Sequence, residues 1–251
     1  MIPIIRIQIL TTLLLAFFSL NAQKNDLERM KLNDQIKSIH ETSFTVCIKS
    51  KEVEKSNPLY FYINTFDENG NKTIDKRLNA KGELVKKYVY MYENGKRKMQ
   101  KQFNSEDSII RTITYSYNDQ GKLIQDKSYS ANGKYIKKYT YRYDKQGNLI
   151  EDKSYDSEGN LQKKYTYKYD DAGNKIQTSV FNVDGSLDKK IKFKYNKHWH
   201  LSEEKVLDKF GNIIRKYSYT YEYDQKKNWI IKKTQTNEQP SFVIKREIVY
   251  Y

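Results

Sequence analysis

The fold is decided by a stretch that reads Tyr139-Thr-Tyr-Arg-Tyr143-Asp144-Lys-Gln-Gly147-Asn148-Leu149. The same pattern returns 26 positions later as Tyr165-Thr-Tyr-Lys-Tyr169-Asp170-Asp-Ala-Gly173. A fixed period of roughly 20 to 50 residues indicates a repeat architecture. A second glycine series, again in steps of 26, shows that each unit holds two turns and two extended segments. The seven units carry their aromatic motifs at Tyr62, Tyr88, Ile113, Tyr139, Tyr165, Ile191 and Tyr219.

The turns explain this spacing. Asp144 to Gly147 and Asp156 to Gly159 each place an acidic residue first and a glycine fourth. The first side chain can accept a hydrogen bond from the backbone two residues on, and glycine tolerates the positive φ of the fourth position. This pattern is typical of a type I turn with a G1 bulge in a short β-hairpin. Asn94-Gly95 fits a two-residue type I′ turn, which accounts for one unit of 25 residues.

The repeat therefore predicts an all-β protein. We expect an antiparallel meander of about 14 strands from seven 26-residue hairpin repeats. First and last strands are expected near residues 36–46 and 242–250. We expect a twisted or curled single-layer sheet that does not close. Left open, it would extend about 65 to 70 Å at about 4.8 Å per strand.

Parity places the tyrosines on one face. Because 26 is even and strand side chains alternate, equivalent residues of successive units should point the same way. This face should form a ladder of aromatic pairs and is the candidate ligand-binding surface. The proposed ligand-binding residues are Tyr139, Tyr141, Tyr143, Tyr165, Tyr167, Tyr169, Tyr219 and Tyr221. Simple counting adds Leu149, Tyr155, Leu161 and Phe181 to this face and assigns Asp152, Ser154, Gln162, Lys164, Thr166 and Lys168 to the other.

The first residues look like an export signal. Residues 1–22 contain Arg6, an apolar run too short to span a bilayer comfortably, and Ala22 as a small residue at a cleavage site. An uncleaved membrane anchor is the alternative. Residues 23–35 are expected to form a linker or a short helix, and residues 36–251 the β-hairpin repeat domain. We expect the mature protein to be exported to the periplasm, the cell surface or the medium.

The composition excludes several classes. Hydrophobic residues make up 37% of the 251 residues, which argues against a transporter with a large apolar core. The 23 tyrosines and 10 phenylalanines argue against disorder. A single cysteine, Cys47, cannot form a disulfide within the chain, and no motif around it indicates a nucleophile.

The stretch from Gly133 to Leu149 resembles the YD repeat of RHS-type proteins, in which a glycine and a spacer precede Tyr-x-Tyr-Asp-x-x-Gly. The resemblance covers roughly residues 60–235, and it implies an exported β-repeat array. Aromatic hairpin arrays of the MORN kind use the same turn chemistry. RHS arrays form a shell around a toxin, but this chain is far shorter and has a longer period. We carry over the β architecture and the extracytoplasmic setting only.

Catalytic or metal chemistry has little support in the sequence. His198, His200, Glu203 and Glu204 are the best candidates, but one irregular histidine pair is a weak metal motif. The Asp-x-x-Gly turns offer too few oxygens for calcium, and lysines lie within them. We expect no cofactor, no metal and no enzymatic activity. Trp199 is unusual because it stands where the repeat calls for a left-handed glycine.

The charge suggests partners. The formal net charge is +15, and paired lysines recur through the units. Keeping an exposed sheet soluble is the favoured role of these lysines. The alternative is that they attract a partner, for which an acidic glycan or an envelope polymer is the candidate. A protein could also pair with an edge strand. We expect no nucleic-acid partner and no membrane-spanning barrel, because basic residues at mid-bilayer cost about 2 to 4 kcal/mol each.

Three functions follow from these observations. The leading hypothesis is an exported non-enzymatic protein that presents a Tyr/Lys-rich sheet to a polymer or a protein. The alternatives are an immunity-type protein that neutralises a secreted toxin, and a hydrolase with an unrecognised site near His198 to Glu204.

Overall fold

The computed structural model describes residues 24–49 and 52–251. The predicted signal peptide and its cleavage site therefore lie outside the described residues. The chain forms one short helix, α1 (Asp26–Arg29), and sixteen strands. The strands are β1 (Ile36–Lys49), β2 (Glu52–Phe66), β3 (Lys72–Asn79), β4 (Leu84–Glu93), β5 (Lys96–Phe103), β6 (Ile109–Tyr117), β7 (Leu123–Ser130), β8 (Tyr135–Tyr143), β9 (Leu149–Tyr155), β10 (Leu161–Tyr169), β11 (Lys175–Phe181), β12 (Leu187–Tyr195), β13 (Leu201–Asp208), β14 (Ile213–Tyr223), β15 (Trp229–Thr236) and β16 (Gln239–Tyr250).

The sheet is a closed barrel. All neighbours are antiparallel and consecutive, and β1 also pairs with β16, from Ser38 opposite Val249 to Thr45 opposite Phe242. The prediction of an open sheet of about 14 strands was therefore wrong, although the all-β meander is confirmed. Where β1 and β16 pair, closure leaves neither strand with a free edge. β1 continues beyond this pairing to Lys49, where it pairs with β2 alone.

The turns form as the repeat predicts. In the β8–β9 turn, Asp144 N donates to Asn148 O at 2.9 Å and Gly147 N donates to Asp144 O at 3.1 Å. Gly147 has a φ of +92°. The Asp144 carboxylate accepts from the backbone N of Asn148 at 2.8 Å. Turns of this kind occur at both ends of the barrel, since Asp156 and Gly159 form the same bonds between β9 and β10. The turns that follow the even-numbered strands all lie at one end, here called the near end.

Bulges at these turns change the parity that simple counting predicts. The register shifts between Arg142 and Tyr143, and again after Leu161 in β10. As a result Asp152 lies directly opposite both Tyr141 and Tyr165, on the tyrosine face. The odd-numbered strands β7, β9 and β11 are thus inverted relative to the prediction. Asp152 and Ser154 share the tyrosine face, whereas Tyr155 and Phe181 lie on the other face, beside Lys138 and Lys164.

The tyrosine face is the inner face. Residues 24–35, here called the mouth segment, cross the near end of the barrel. Asp26 accepts hydrogen bonds from the tyrosine-face side chains of Tyr92 and Arg97 on β4 and β5. At its other end, Asn33 bonds Asn228 in the β14–β15 turn. A segment that touches the tyrosine face of one wall and the rim of another can only lie across the mouth.

A small apolar core anchors the mouth segment to the barrel. It comprises Leu27, Leu32, Ile36, Ile39 and Phe66, all nearly inaccessible to solvent. These residues join α1 to β1 and β2. Within residues 23–35, where a linker or a short helix was expected, the chain forms α1, with Asn25 as its N-cap and Glu28 completing a capping box.

The outward face is charged. It carries Lys87, Lys138, Arg142, Glu151, Lys153, Lys164, Lys168, Lys190, Lys194, Glu203 and Lys205. Several of these form ion pairs: Glu151 contacts Lys153 of its own strand at 3.3 Å and Lys164 of the neighbouring β10 at 3.5 Å. No helix among the described residues is long and apolar enough to cross a membrane.

Candidate functional site in the barrel lumen

A closed sheet of about 16 strands encloses a channel rather than a packed core. The lumen of this barrel is layered, because every repeat contributes the same residue at the same height. Each even-numbered strand from β4 to β12 presents inward a basic residue, then an aromatic or isoleucine, then two further aromatic residues. The four layers are described from the near end to the far end.

The layer nearest the turns is a set of tyrosines whose hydroxyls are already bonded. Tyr143 donates to the carbonyl of Leu123 at 2.8 Å and Tyr169 to that of Leu149 at 2.7 Å. These carbonyls lie at the start of the preceding odd-numbered strand, where the bulge interrupts pairing with the neighbouring strand. We call this set the carbonyl ladder: Tyr92, Tyr117, Tyr143, Tyr169, Tyr195 and Tyr221.

The second layer pairs tyrosines with acidic or amide side chains. Tyr141 donates to Asp126 and Tyr167 donates to Asp152. Burial raises the pKa of both carboxyl groups, while the tyrosine hydroxyls act against it. Tyr115 donates to Gln100 at 2.9 Å in the same relation.

The repeat supports this pairing within one chain. Thr178 occupies the position of Asp152 one unit later, and Phe193 there replaces the tyrosine. The tyrosine hydroxyl that would donate is therefore missing in the unit in which threonine replaces the aspartate acceptor. One unit further on, Tyr219 returns together with Glu204, and burial beside Glu204 raises the pKa of Tyr219 to about 12.

The third layer contains Tyr139 and Tyr165, whose hydroxyls are less committed to the protein. The Lys137 ammonium donates to the Tyr139 hydroxyl at 2.8 Å and lies 4.7 Å from its ring centroid. Tyr217 accepts in the same way from Arg215, at 3.2 Å. The proposed ligand-binding tyrosines thus all face the lumen, but their contacts differ. The hydroxyls of Tyr141, Tyr143, Tyr167, Tyr169 and Tyr221 donate to the protein, whereas Tyr139 accepts from Lys137 and the Tyr219 ring lies beneath the Lys232 ammonium.

The fourth layer is basic at every even-numbered strand from β4 to β14. Adjacent members lie two strands apart, about 10 Å along the wall. Arg111 and Lys137 line one cavity of about 200 Å³ together with Tyr139 and Tyr141, which confirms that they face inward. We call this layer the basic ring: Lys86, Arg111, Lys137, Lys163, Lys189 and Arg215.

Nearby acids neutralise little of the basic ring. Lys163 lies 3.6 Å from Asp188. The Asp152 carboxylate accepts from Tyr167. The Asp126 carboxylate accepts from Tyr141, and the charge of Lys137 acts to lower its pKa against the effect of burial. The sequence interpretation noted the lysine pairs but treated their charge as spread over the sheet. Their 26-residue spacing was the available signal: the first basic residue of each pair faces the lumen and the second faces outward.

The proposed hydrolase site is not assembled. Glu203 and Glu204 lie on opposite faces of β13: Glu203 pairs with Lys194 and Lys205 outside, and Glu204 faces the lumen. His200 instead contacts Tyr223, with its Nδ1 3.1 Å from the hydroxyl. Within residues 24–49 and 52–251, no group of three His, Cys, Asp or Glu side chains is placed to hold a metal ion.

His200 should make stability depend on pH. Burial, aided by the charges of Lys31 and Arg246, lowers the pKa of His200 to about 4 from its usual 6.5. A depressed pKa means that the folded state disfavours the proton. The contribution of neutral His200 to the free energy of unfolding is therefore complete above pH 6.5 and is lost as the pH falls towards 4. We expect His200→Gln to remove about 2 kcal/mol of the pH dependence of the unfolding free energy between pH 7 and 4.5.

Urea unfolding of the protein and of His200→Gln across this pH range measures the effect. Substitution of the exposed His40 by Gln is the control for the loss of an imidazole. Parallel curves for the protein and His200→Gln would contradict the assignment.

The barrel resembles solved structures. A porin-like protein from Bacteroides uniformis matches with a TM-score of 0.57 and 12% identity, over 86% of this chain and 98% of that chain. A porin-like protein from Bacteroides vulgatus matches with a TM-score of 0.42 and 11% identity, over 87% and 99% of the two chains. The Photorhabdus luminescens Tc holotoxin pore matches with a TM-score of 0.22 and 11% identity, over 74% of this chain and 15% of that one. The first of these shows a shared fold.

No curated protein matches the sequence significantly. A family model does match: it covers residues 16–168 and carries the description "Uncharacterised protein". Since that model spans more than half of the chain, from before the mouth segment to β10, the protein belongs to this family.

Proposed function

We propose that the protein is an exported, non-enzymatic binding protein of the cell envelope and that its lumen binds an acidic polymer. The observation that carries the proposal is the basic ring. A ring of cations with few paired acids, in a space walled by protein, concentrates anions. The tyrosines of the next layer add aromatic surface with hydrogen-bonding hydroxyls.

The direction of entry follows from the fold. The mouth segment crosses the near end, whereas the basic ring lies towards the far end, where no described segment crosses the lumen. A polymer would therefore meet the cations first and the tyrosines next. Its anionic groups would replace water around the lysines of the ring.

The envelope setting rests on three observations. Residues 1–22 have the pattern of an export signal. The resemblance to RHS-type repeats implies an extracytoplasmic setting. The solved structure that shares the fold is described as porin-like. The charged outer face favours a barrel that stands in water, because basic residues at mid-bilayer cost about 2 to 4 kcal/mol each.

The test compares two variants of equal charge. The lumen variant replaces the inward basic residues by Gln: Lys86, Lys137, Lys163, Lys189 and Arg215. The outer variant replaces the next residue in each case: Lys87, Lys138, Lys164, Lys190 and Lys216. Each removes five positive charges, and the replaced residues are adjacent in sequence.

Binding of polygalacturonate is measured by calorimetry, with uncharged galactan for comparison. We expect the protein to bind the acidic polymer and not the uncharged one. The lumen variant should bind at least about tenfold more weakly, a change of about 1.4 kcal/mol, and the outer variant should retain most of the affinity. Equal losses in both variants would show a general charge effect and contradict the lumen site. Circular dichroism confirms that both variants fold.

A further inference from the structure

The turn between β12 and β13 departs from the repeat in one residue. Trp199 occupies the position held by Gly147 and Gly173 in the preceding units, and its φ is +60°. The sequence-based prediction that this position is left-handed is confirmed. An amino acid with a side chain is strained there, and such strain often accompanies a functional role.

The Trp199 side chain is about half exposed, at 51%, and lines a cavity of about 730 Å³. The cavity lies between the turn and the mouth segment, and His198, Leu32 and Asn33 also line it. The Lys31 ammonium donates to the carbonyl of Trp199 at 2.9 Å, which ties the mouth segment to this turn. The turn and the mouth segment therefore form one concave site, here called the Trp199 pocket.

The charge of the Trp199 pocket is strongly positive. Its lining includes Lys24, Lys31, Lys197 and Lys227, against one acid, Glu28. Glu28 is engaged, since its carboxylate accepts from the backbone of Asn25 at 3.0 Å. Burial and the charge of Lys24 lower the pKa of Lys31, while Asp170 acts in the opposite direction. Lysines held together in this way favour an anion that lies between them.

We propose that the Trp199 pocket binds a saccharide unit that carries a carboxylate, with the indole ring against the apolar face of the sugar. An exposed tryptophan offers a flat apolar surface beside groups that can hydrogen-bond to hydroxyls, here His198 and Asn33. The lysines supply the partner for the carboxylate. The proposal goes beyond the proposed function, because it concerns a second site, at the opposite end of the barrel from the basic ring.

The chain provides its own spectroscopic probe, because it contains only two tryptophans and Trp229 is buried. In Trp229→Phe, fluorescence reports on Trp199 alone. We expect digalacturonate to change this fluorescence saturably, galactobiose to bind at least tenfold more weakly, and acetate to have no effect. A response equal for digalacturonate and galactobiose would overturn the role of the lysines, and no response to digalacturonate would overturn the pocket.

Trp199→Gly separates binding from folding. Calorimetry should show at least a tenfold loss of digalacturonate affinity in this variant, while its midpoint of thermal unfolding is unchanged or higher, because glycine fits the left-handed position. Unaltered affinity would overturn the proposal. Since this variant keeps Trp229, it remains informative if Trp229→Phe fails to fold.

Matched lysines test the charge. Lys197→Gln should weaken binding of digalacturonate several-fold, whereas Lys145→Gln, at the same place in the β8–β9 turn, should not. Equal effects of the two substitutions on digalacturonate binding would contradict the pocket.

The lumen variant distinguishes the two proposals: it should bind digalacturonate normally if the Trp199 pocket holds the sugar. If the protein bound polygalacturonate but not digalacturonate, the proposal for the basic ring would stand and the proposal for the Trp199 pocket would fail. If it bound digalacturonate but not polygalacturonate, the pocket proposal would stand and the basic-ring proposal would fail.

Discussion

Arg246→Ala is expected to lower the free energy of unfolding by about 3 to 5 kcal/mol, because it removes one partner of a buried ion pair. Arg246 lies on β16 with only 8% of its side chain exposed, opposite Glu41 on β1. Its Nε and Nη2 donate to one carboxylate oxygen of Glu41, at 2.8 and 2.7 Å. The guanidinium also lies 3.3 Å from the Trp229 ring centroid. Alanine would leave the Glu41 carboxylate unpaired at the seam of the barrel.

Urea unfolding measures this loss. Arg142→Ala is the control: Arg142 also pairs with a glutamate, Glu151, but its side chain is 62% exposed. Exposed pairs contribute about 0 to 1 kcal/mol, so this variant should change stability little. If both substitutions had the same small effect, the seam would not depend on the buried pair.

Asp26→Ala should cost a similar amount, about 3 to 5 kcal/mol, since it removes a buried carboxylate and leaves the partly buried Arg97 without its partner. The Asp26 carboxylate accepts from Arg97 at 3.0 Å, from the Tyr92 hydroxyl and from the backbone N of Lys72 at 3.0 Å. These contacts hold α1 against β3, β4 and β5. Burial opposes ionisation, but the hydrogen bonds and Arg97 together lower the pKa of Asp26.

The same substitution should release the mouth segment. Hydrogen exchange of residues 26–32 reports on this directly, and we expect their protection to fall more than that of the barrel strands. Asp34→Asn is the control. Asp34 lies in the same mouth segment, but its ion pair with Lys226 of the β14–β15 turn is exposed. Loss of global stability without preferential exchange in the mouth segment would contradict its role as a separately held element.

The candidate site was partly accessible from the sequence. The 26-residue period and the alternation of strand residues correctly placed Tyr139, Tyr141 and Tyr143 on one face. They failed for Asp152, because each bulge adds a residue to one strand and reverses the parity of the next. Asp152, which accepts from the Tyr167 hydroxyl, was therefore assigned to the wrong face. The charge of Lys137 and its equivalents was treated as spread over the sheet rather than concentrated in one layer.

The Trp199 position shows the opposite case. Its left-handed backbone followed from the turn pattern alone, because the position requires a positive φ whatever residue occupies it. The cavity beside it could not be predicted. It depends on Lys31 and Leu32, which precede the turn by more than 160 residues in the chain.

The sequence by itself determined the local structure: the antiparallel meander, the turns with their glycines, and the tyrosines on a common face. These features depend on hydrogen bonds and alternation within about 26 residues. Only the tertiary structure decided that the sheet closes, since small twists and shears accumulate over sixteen strands. The pairing of Glu41 with Arg246 then joins residues from opposite ends of the chain. Closure turns the tyrosine face inward and converts an exposed surface into a lumen with a basic ring.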